Sequence, residues 1–329
     1  MWKFLIRRLM LGILIVVMGA FVVYAVLRCL PASYVEKKAR EYSASSNGRL
    51  QYEEVLQRLK EQYGLDKSVP VGFVKWLGDA VRGDFGDSWQ YAGKVVDKFE
   101  DVIWWSVLMN IITLILQTVI CIPLGILAAR KQYSRTDYAI MVIALACISL
   151  PTFYLATLLK YVFAVQLGWF PLNGMQSRDF SQMTQFGKVL DIAYHFCLPV
   201  ITLAMLSVGG LTRYTRTNML EVLNADYIRT ARAKGLPEKV VINRHAFRNT
   251  LIPLVSYMSY LLPSMFGGAM ITEQLFEIEG IGRISFTAMV AGDIPFTMFY
   301  TTFIMVLTQV SLILADIMYA VVDPRVRVN

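Results

Sequence analysis

The chain has 329 residues, of which 56% are hydrophobic and 17% are charged, and its mean hydropathy is +0.50. A soluble domain of this length is far less apolar, so the composition excludes an ordinary soluble globular protein. The formal net charge of +8 does not call for a nucleic-acid partner, because the basic residues collect on one side of long apolar segments. A polytopic membrane protein is therefore predicted.

Six apolar segments are long enough to cross a bilayer. They run over residues 9–27, 102–129, 138–165, 192–211, 251–271 and 296–322. Each is expected to be helical, because lipid offers no hydrogen-bond partner to an open backbone. The predicted fold is all-α, with an N-terminal segment and first span over 1–30, a loop over 31–101 and a membrane core over 102–329.

Lysine and arginine are concentrated on one side of these spans. That side carries Lys3, Arg7, Arg8, Arg130, Lys131, Arg135, Arg213, Arg216, Arg229, Arg232, Lys234, Lys239, Arg244, Arg248, Arg325 and Arg327. The opposite side carries Glu277, Glu279 and Asp293 against Arg283. Because positive charge stays in the cytoplasm, both termini are expected there.

The first span is expected to stay as a membrane anchor. Residues 9–27 are longer than a typical signal-peptide core, and Arg28 stands where a small residue would precede a cleavage site. The same arginine argues against lipid attachment at Cys29. All four cysteines, which also include Cys121, Cys147 and Cys197, are expected to be free thiols.

The loop over 31–101 is expected to be mostly helical and to lie outside the membrane, on the extracytoplasmic side. Val55, Leu56 and Leu59 follow helical spacing, and residues 43–48 break the pattern. Five large apolar residues are candidates for packing the loop onto the membrane helices. They are Trp76, Leu77, Val81, Phe85 and Trp89.

No motif for ATP hydrolysis, metal binding or covalent catalysis stands out in the sequence. Gly93-Lys94 and Gly280-Ile281-Gly282 lack the further glycines and the strand-to-helix context of a phosphate-binding loop. His195 and His245 are the only histidines and no cysteines cluster near them, which disfavours a metal site. Neither an enzyme nor a bound cofactor is expected, so any ATP must be hydrolysed by other subunits.

The basic loop over 213–250 carries signals for a short helix. Asn224 is expected to cap its start, Gly235 to close it in a left-handed conformation, and Pro237 to prevent its continuation. The loop is therefore predicted to be structured, although an ordinary charged loop is the alternative on periodicity alone.

One face of this predicted helix is small and apolar. It contains Tyr227, Ile228, Ala231 and Gly235, whereas Arg229 and Arg232 project elsewhere. Such a face, surrounded by basic residues, is suited to docking into a groove of another protein.

The loop resembles a known motif. AspTyrIleArgThrAlaArgAlaLysGlyLeu (226–236) and ArgHisAlaPheArgAsnThrLeuIlePro (244–253) resemble the cytoplasmic coupling loop of permease subunits in dipeptide, oligopeptide and nickel ATP-binding cassette (ABC) importers. TyrGlyLeuAsp (63–66), ArgGlyAspPheGlyAspSer (82–88), GluGlyIleGlyArg (279–283) and AspProArgValArg (323–327) agree in order. The chain departs from the general importer loop by carrying Arg229, Thr230 and Ala231 in place of Glu-Ala-Ala. No acidic contact is therefore assigned at Arg229.

The resemblance implies the type I ABC importer permease fold of the first-permease type, with six transmembrane helices. It implies that a cytoplasmic ATPase contacts Asp226, Tyr227, Ile228, Arg229, Thr230, Ala231, Arg232, Ala233 and Gly235. A stiff helix at this place would transmit closure of the ATPases to the membrane helices. The implied partners are a second homologous permease, two ATPases and an extracytoplasmic substrate-binding protein, assembled in a bacterial inner membrane.

The cargo, the energy source and the role of one acidic residue each have more than one interpretation. Peptides are favoured as cargo by their frequency in the family, with glutathione or a nickel chelate as alternatives. An ion-coupled secondary carrier is the alternative from another class, but neither a series of buried acids nor an internal repeat supports it. Asp316, a charge inside a predicted span, is a candidate for the substrate pathway, although a hydrogen bond to a neighbouring helix is its favoured role.

Overall fold

The computed structural model describes residues 2–29, 34–45, 52–62, 65–91, 93–259 and 261–322, and this part of the chain is predominantly helical. The α-helices are α1 (Trp2–Cys29), α2 (Tyr34–Ser45), α3 (Tyr52–Gln62), α4 (Val69–Val81), α5 (Val95–Arg130), α6 (Arg135–Ser149), α7 (Thr152–Leu159), α8 (Gln185–Leu223), α9 (Asp226–Ala233), α10 (Glu238–Val240), α11 (Phe247–Ser259), α12 (Leu262–Gly267), α13 (Met270–Phe276), α14 (Ile281–Ala291) and α15 (Ile294–Val322). Lys160–Gln166 and Val241–Ala246 are π-helical. The predicted all-α fold is confirmed, whereas the motif over 323–327 and residues 63–64 lie outside the described residues.

Four of the predicted spans are single helices that are long and apolar enough to cross a membrane. They are Ile6–Cys29, Val95–Arg130, Gln185–Leu223 and Ile294–Ile317. Pro123 lies inside α5 and Pro199 inside α8 without ending either helix. Neighbouring helices and local adjustments commonly satisfy the backbone groups that such prolines leave free.

The other two predicted spans are not single straight helices. The third consists of Arg135–Ser149 and Thr152–Gln166, which meet at a bend of 102°. Pro151 causes the break, because it lacks an N–H group and forces Leu150 into an extended conformation, with ψ 128°. The fifth predicted span, 251–271, is divided among α11, α12 and the start of α13, so the expectation of one helix there is wrong.

The described chain divides into two compact units, and the first takes its residues from 1–104 and 284–313. Within this unit α2 and α3 pack together through Val35, Ala39, Val55 and Leu59. The predicted helical character of the 31–101 loop is therefore confirmed, and its helices share a small apolar core of their own.

The large apolar residues of this loop behave differently from one another. Trp76, Leu77 and Trp89 pack against the buried cluster that joins α1 and α4. The Phe85 ring meets the ring of Phe299 edge-on, with the ring centroids 4.6 Å apart. Val81 is 81% exposed, so its predicted packing role is wrong.

The second unit takes its residues from 105–283 and 314–328. Its α6 and α8 lie so close that a Cβ on Gly209 would come within 2.5 Å of the Ala144 carbonyl oxygen. Glycine is needed at this crossing, because small residues let helix backbones approach within a membrane. Cys121 and Cys147 are buried in this unit as free thiols, and Cys197 is a partly buried free thiol.

Candidate coupling surface

The short helix predicted in the basic loop is α9, and its C-terminus is closed by a Schellman motif. Gly235 has φ +74° and donates its N–H to the Arg232 carbonyl over 2.9 Å. The N–H of Leu236 donates to the Ala231 carbonyl over 3.4 Å. These two bonds satisfy carbonyls that a helix end otherwise leaves open, and the closing role of Gly235 is confirmed.

The start of α9 differs from the sequence-based expectation. Ala225, with ψ 148°, is the N-cap residue, and no side chain caps the helix. Asn224 belongs to the end of α8, where its N–H donates to the carbonyls of Leu220 and Glu221 over 3.3 Å. Its predicted capping role is wrong, because its backbone is still helical and an N-cap residue leaves the helical conformation. Only two residues separate α8 from α9, so α8 sets the direction of α9.

Part of the small apolar face of α9 is used inside the chain. Ile228 is 0% exposed and Ala231 is 7% exposed. They belong to a buried cluster, called the loop core here, that contains Ala129, Met219, Ile228, Ala231, Val241, Ile242 and Ala246. The expectation that Ile228 and Ala231 dock into a partner's groove is therefore wrong, and their packing instead fixes α9 on α8.

The opposite face of α9 is exposed, and it is called the coupling surface here. It consists of Asp226, Tyr227, Arg229, Thr230 and Ala233. Arg229 and Asp226 approach each other to 3.5 Å with side chains 73% and 96% exposed, a geometry that contributes little to stability. Desolvation and the nearby Glu221 carboxylate raise the pKa of the Tyr227 phenol above its ordinary value. The coupling surface therefore presents one aromatic hydroxyl beside charged groups.

Arg232 differs from Arg229 because it is engaged within the loop. Its Nη2 donates to Glu238 Oε1 over 2.8 Å and its Nε donates to Glu238 Oε2 over 3.2 Å. The hydrogen bond from Arg232 lowers the pKa of the Glu238 carboxyl, and the same bond raises the pKa of Arg232. This forked contact ties α9 to α10 across the turn.

A second ion pair braces the membrane helices that precede the loop. Arg216 in α8 donates two hydrogen bonds of 2.7 Å to the two oxygens of Asp137 in α6. The backbone N–H of Tyr133 adds a third bond to Asp137, over 2.9 Å. Sequence reasoning missed this pair, although Asp137 is the one acid among the basic residues of 130–137 and was a usable signal.

Sequence reasoning also missed a buried carboxylate in the segment 268–283, called the Glu273 turn here. Glu273 is 0% exposed and accepts hydrogen bonds from Ser106 Oγ over 2.7 Å, Ala269 N over 2.9 Å and Arg283 N over 2.8 Å. Ser106 Oγ in turn accepts from Ile281 N over 2.8 Å. One side chain therefore holds both ends of an irregular stretch of backbone.

Glycines make room for this carboxylate. A Cβ on Gly280 would lie 2.6 Å from Glu273 Oε2, and one on Gly268 would lie 2.8 Å from Glu273 Oε1. The run GluGlyIleGlyArg over 279–283 was recognised by resemblance, but its physical purpose is visible only when the folded chain brings Glu273 against it.

Asp316 lies in α15 and is partly buried. It is not a member of the coupling surface or of the loop core as these are defined by the described residues. Its place in a substrate pathway stays a prediction.

Several long apolar helices define this chain as a multi-pass membrane protein. Residues 121–328 match the family described as "Binding-protein-dependent transport system inner membrane component", and residues 1–93 match "Binding-prot-dependent transport system membrane comp, N-term". The chain belongs to this family of ABC importer permeases, whose members are transport components and not enzymes.

Two relatives show how far the similarity extends. The chain is 39% identical over 267 residues to the "Oligopeptide transport system permease protein AppB" of Bacillus subtilis, which covers 81% of this chain and 83% of the relative. It is 33% identical to a "Putative peptide permease protein" of Brucella ovis over 100% of both chains. The dipeptide, oligopeptide and nickel branch suggested by the sequence motifs is confirmed.

Proposed function

We propose that this chain forms one half of the membrane pathway of a peptide importer and that an ATPase subunit docks on the coupling surface. Peptide cargo is supported by the names of the relatives, both of which are called peptide or oligopeptide permeases. Glutathione and a nickel chelate are the alternative cargoes within the same family.

The observation that carries the proposal is the two-sided construction of α9. Its inner face is fixed by Ile228 and Ala231 in the loop core, and its outer face leaves Tyr227 and Arg229 exposed. A partner that pushes on such a helix moves α8 with it, because the connection is short and the loop core is closely packed. Closure of the ATPases would then switch the membrane helices between inward-open and outward-open states.

The proposed assembly has further parts. A second homologous permease completes the pathway, two cytoplasmic ATPases supply the energy, and an extracytoplasmic binding protein delivers the cargo. The sidedness of Lys and Arg supports a bacterial inner-membrane location with both termini in the cytoplasm. No cofactor is assigned to this chain, since ATP is bound by the partner subunits.

The test is a double substitution on the coupling surface, Tyr227→Ala with Arg229→Ala. The tagged chain is purified in mild detergent from its own cells, co-purifying ATPase is quantified by mass spectrometry, and peptide uptake is measured in the same strain. Loss of an aromatic and an arginine anchor is expected to lower both quantities at least about tenfold. The matched control is Lys239→Ala, an exposed basic residue on α10, which is expected to retain both.

Two results would contradict the proposal. If the double variant retains wild-type amounts of co-purifying ATPase and wild-type peptide uptake, α9 is not the ATPase contact. Purification of the wild-type chain without any ATPase, together with uptake driven by an ion gradient, would instead support a secondary carrier.

A further inference from the structure

A cavity of about 290 Å³ lies within the second unit, between α5, α8 and the segment around α12. It is called the mid-helix cavity here. Its lining residues are Asn110, Thr113, Leu114, Gln117, Leu203, Leu206, Ser207, Leu261, Ser264, Met265, Gly268 and Ala269. The four residues from α5 follow the spacing i, i+3, i+4 and i+7, so they occupy one face of that helix. The volume is close to the lower limit of roughly 300 Å³ for small-molecule sites.

The cavity lies near the middle of two helices that are long enough to cross a membrane. Residues 110–117 fall near the centre of Val95–Arg130, and residues 203–207 fall near the centre of Gln185–Leu223. The backbone opposite them is irregular, because α12 ends at Gly267 and Gly268 follows it with φ +73°. Irregular backbone at membrane depth is tolerated where it is buried in protein or lines a water-filled cavity.

Gln117 is the most informative residue of the lining. It is 7% exposed and faces the cavity, and no hydrogen bond joins its amide to another residue in the part of the chain that the structure describes. The Gln117 amide atoms are accessible through the cavity, so this position favours water or a ligand that can both donate and accept. A side chain of this kind at membrane depth indicates a functional role.

The other polar lining groups are oriented by bonds to the backbone. Asn110 Nδ2 donates to the carbonyls of Ser264 and Met265 over 3.3 and 3.1 Å, which joins α5 to the broken segment. The hydroxyls of Thr113 and Ser207 donate to carbonyls of their own helices and keep acceptor capacity. Since Asn110 uses its amide nitrogen in this way, its Oδ1 stays available as an acceptor.

The described lining is mostly apolar, and its polar side chains are uncharged: they are amides and hydroxyls, with no Asp, Glu, Lys, Arg or His. A fixed charge at membrane depth would hold an oppositely charged side chain strongly and repel one of the same sign. Neutral amides instead match the one group that every peptide carries whatever its sequence, the main-chain amide.

We infer that the mid-helix cavity binds the main chain of the transported peptide, with Gln117 as the group that hydrogen-bonds a peptide amide. This inference rests on the proposed function, since it names how this half of the pathway recognises its cargo. Recognition through the main chain makes passage independent of the charges on the peptide's side chains.

The test compares trialanine with trialanine that is N-methylated at its central amide. The complete transporter is purified with its partners and reconstituted into liposomes, and uptake of each peptide is measured for the wild type and for Gln117→Leu. N-methylation removes one N–H donor, so the wild type is expected to prefer trialanine roughly fivefold through this site. The preference ratio is the uptake of trialanine divided by the uptake of the N-methylated peptide. Any preference that the binding protein contributes is the same for the wild type and for Gln117→Leu, so it cancels when one ratio is divided by the other.

The matched control is Thr118→Val. Thr118 is the next residue on α5, is not part of the lining, and bonds through its hydroxyl to the Leu114 carbonyl over 2.6 Å. The preference ratio is expected to fall roughly fivefold in Gln117→Leu, to fall less in Gln117→Asn, and to stay at the wild-type value in Thr118→Val. An unchanged ratio in Gln117→Leu, with peptide uptake intact, overturns the inference and leaves the proposed function standing.

A second measurement needs no variant, which matters if Gln117→Leu does not assemble. The wild-type transporter is irradiated with trialanine that carries a diazirine, and the labelled residues are mapped by mass spectrometry. Labels on residues 110–117 support the inference, and labels confined to other helices overturn it. A wild-type transporter that takes up no peptide in any assay contradicts the proposed cargo as well.

Discussion

The coupling surface on α9 and the Glu273 turn solve the same problem, the fixing of a short irregular segment, in opposite ways. The segment that contains α9 is held by apolar side chains, with Ile228 fully buried and the charged residues outside. The Glu273 turn is held by one carboxylate at its centre, 0% exposed, that accepts hydrogen bonds from a serine and from the backbone.

The difference shows what each segment is built for. A helix seated on an apolar cluster keeps its outer charges free for a partner, because those charges are not needed for its own stability. A loop organised by a buried carboxylate uses its polar group internally and leaves little tolerance for change. The charged residues of the first segment form the proposed docking surface, whereas the carboxylate of the second segment is an internal support.

The largest effect is expected for Glu273→Leu. The change leaves the donors of Ser106, Ala269 and Arg283 without their acceptor, at about 1–3 kcal/mol for each group. The free energy of unfolding is expected to fall by about 3 kcal/mol or more, measured by denaturant unfolding of the purified chain in detergent. Glu279→Leu, at an exposed position of the same segment, is the control and should change stability by less than about 0.5 kcal/mol. Equal losses in the two variants would remove the carboxylate from its supporting role.

A pair of glycine substitutions sharpens the comparison. Gly235 and Gly268 have nearly equal φ angles, +74° and +73°, but only Gly268 is crowded, since a Cβ added there would lie 2.5 Å from Gly282 N and 2.8 Å from Glu273 Oε1. Gly235→Ala carries backbone strain alone, about 1–2 kcal/mol, since nothing lies within 4 Å of its Cβ position. Gly268→Ala is expected to cost about 2 kcal/mol more in the same unfolding measurement, because the turn must also shift. Equal costs would show that the Glu273 turn yields as readily as the end of α9.

The smallest effect is expected for Glu238→Gln, which breaks the contact with Arg232. The side chains are 43% and 52% exposed, so the loss at pH 7 should stay below about 1 kcal/mol. Because the pKa of Glu238 is lowered in the folded chain, the contribution of the pair is present above the usual pKa of Glu and is lost as the pH falls through the folded value. The difference in thermal midpoint between the wild type and the variant should therefore shrink as the pH is lowered. A difference that is the same at pH 7 and at about pH 3 would contradict this assignment.

Much of the fold could be predicted from the sequence, because hydropathy and length determine which segments suit a bilayer. The helices at 9–27, 102–129, 192–211 and 296–322 were found in this way. Hydropathy contains no information on the direction of a helix axis. It therefore did not reveal the 102° bend beside Pro151 or the break at Gly268. Proline and glycine commonly interrupt helices, and both breaks occur at such residues. Pro123 and Pro199, however, lie inside continuous helices. Only the contacts around each residue decide whether the helix breaks there.

The candidate site was predicted less completely. The left-handed closure at Gly235 follows from local chemistry and was predicted correctly. The burial of Ile228 depends on Val241 and Ile242 further along the loop, which no local pattern reveals. Glu273 and Ser106 are separated by 167 positions along the chain, so their contact could not be read from spacing.

The length of α8 has a consequence for where a partner can reach this chain. Its 39 residues correspond to roughly 58 Å at 1.5 Å per residue. A hydrocarbon core is about 30 Å thick, so a large part of α8 extends past the lipid tails. Under the proposed function, an extension at the end of α8 that leads to α9 would carry α9 beyond the headgroup layer. A water-soluble ATPase could then contact α9 without competing with phospholipids for the same arginines.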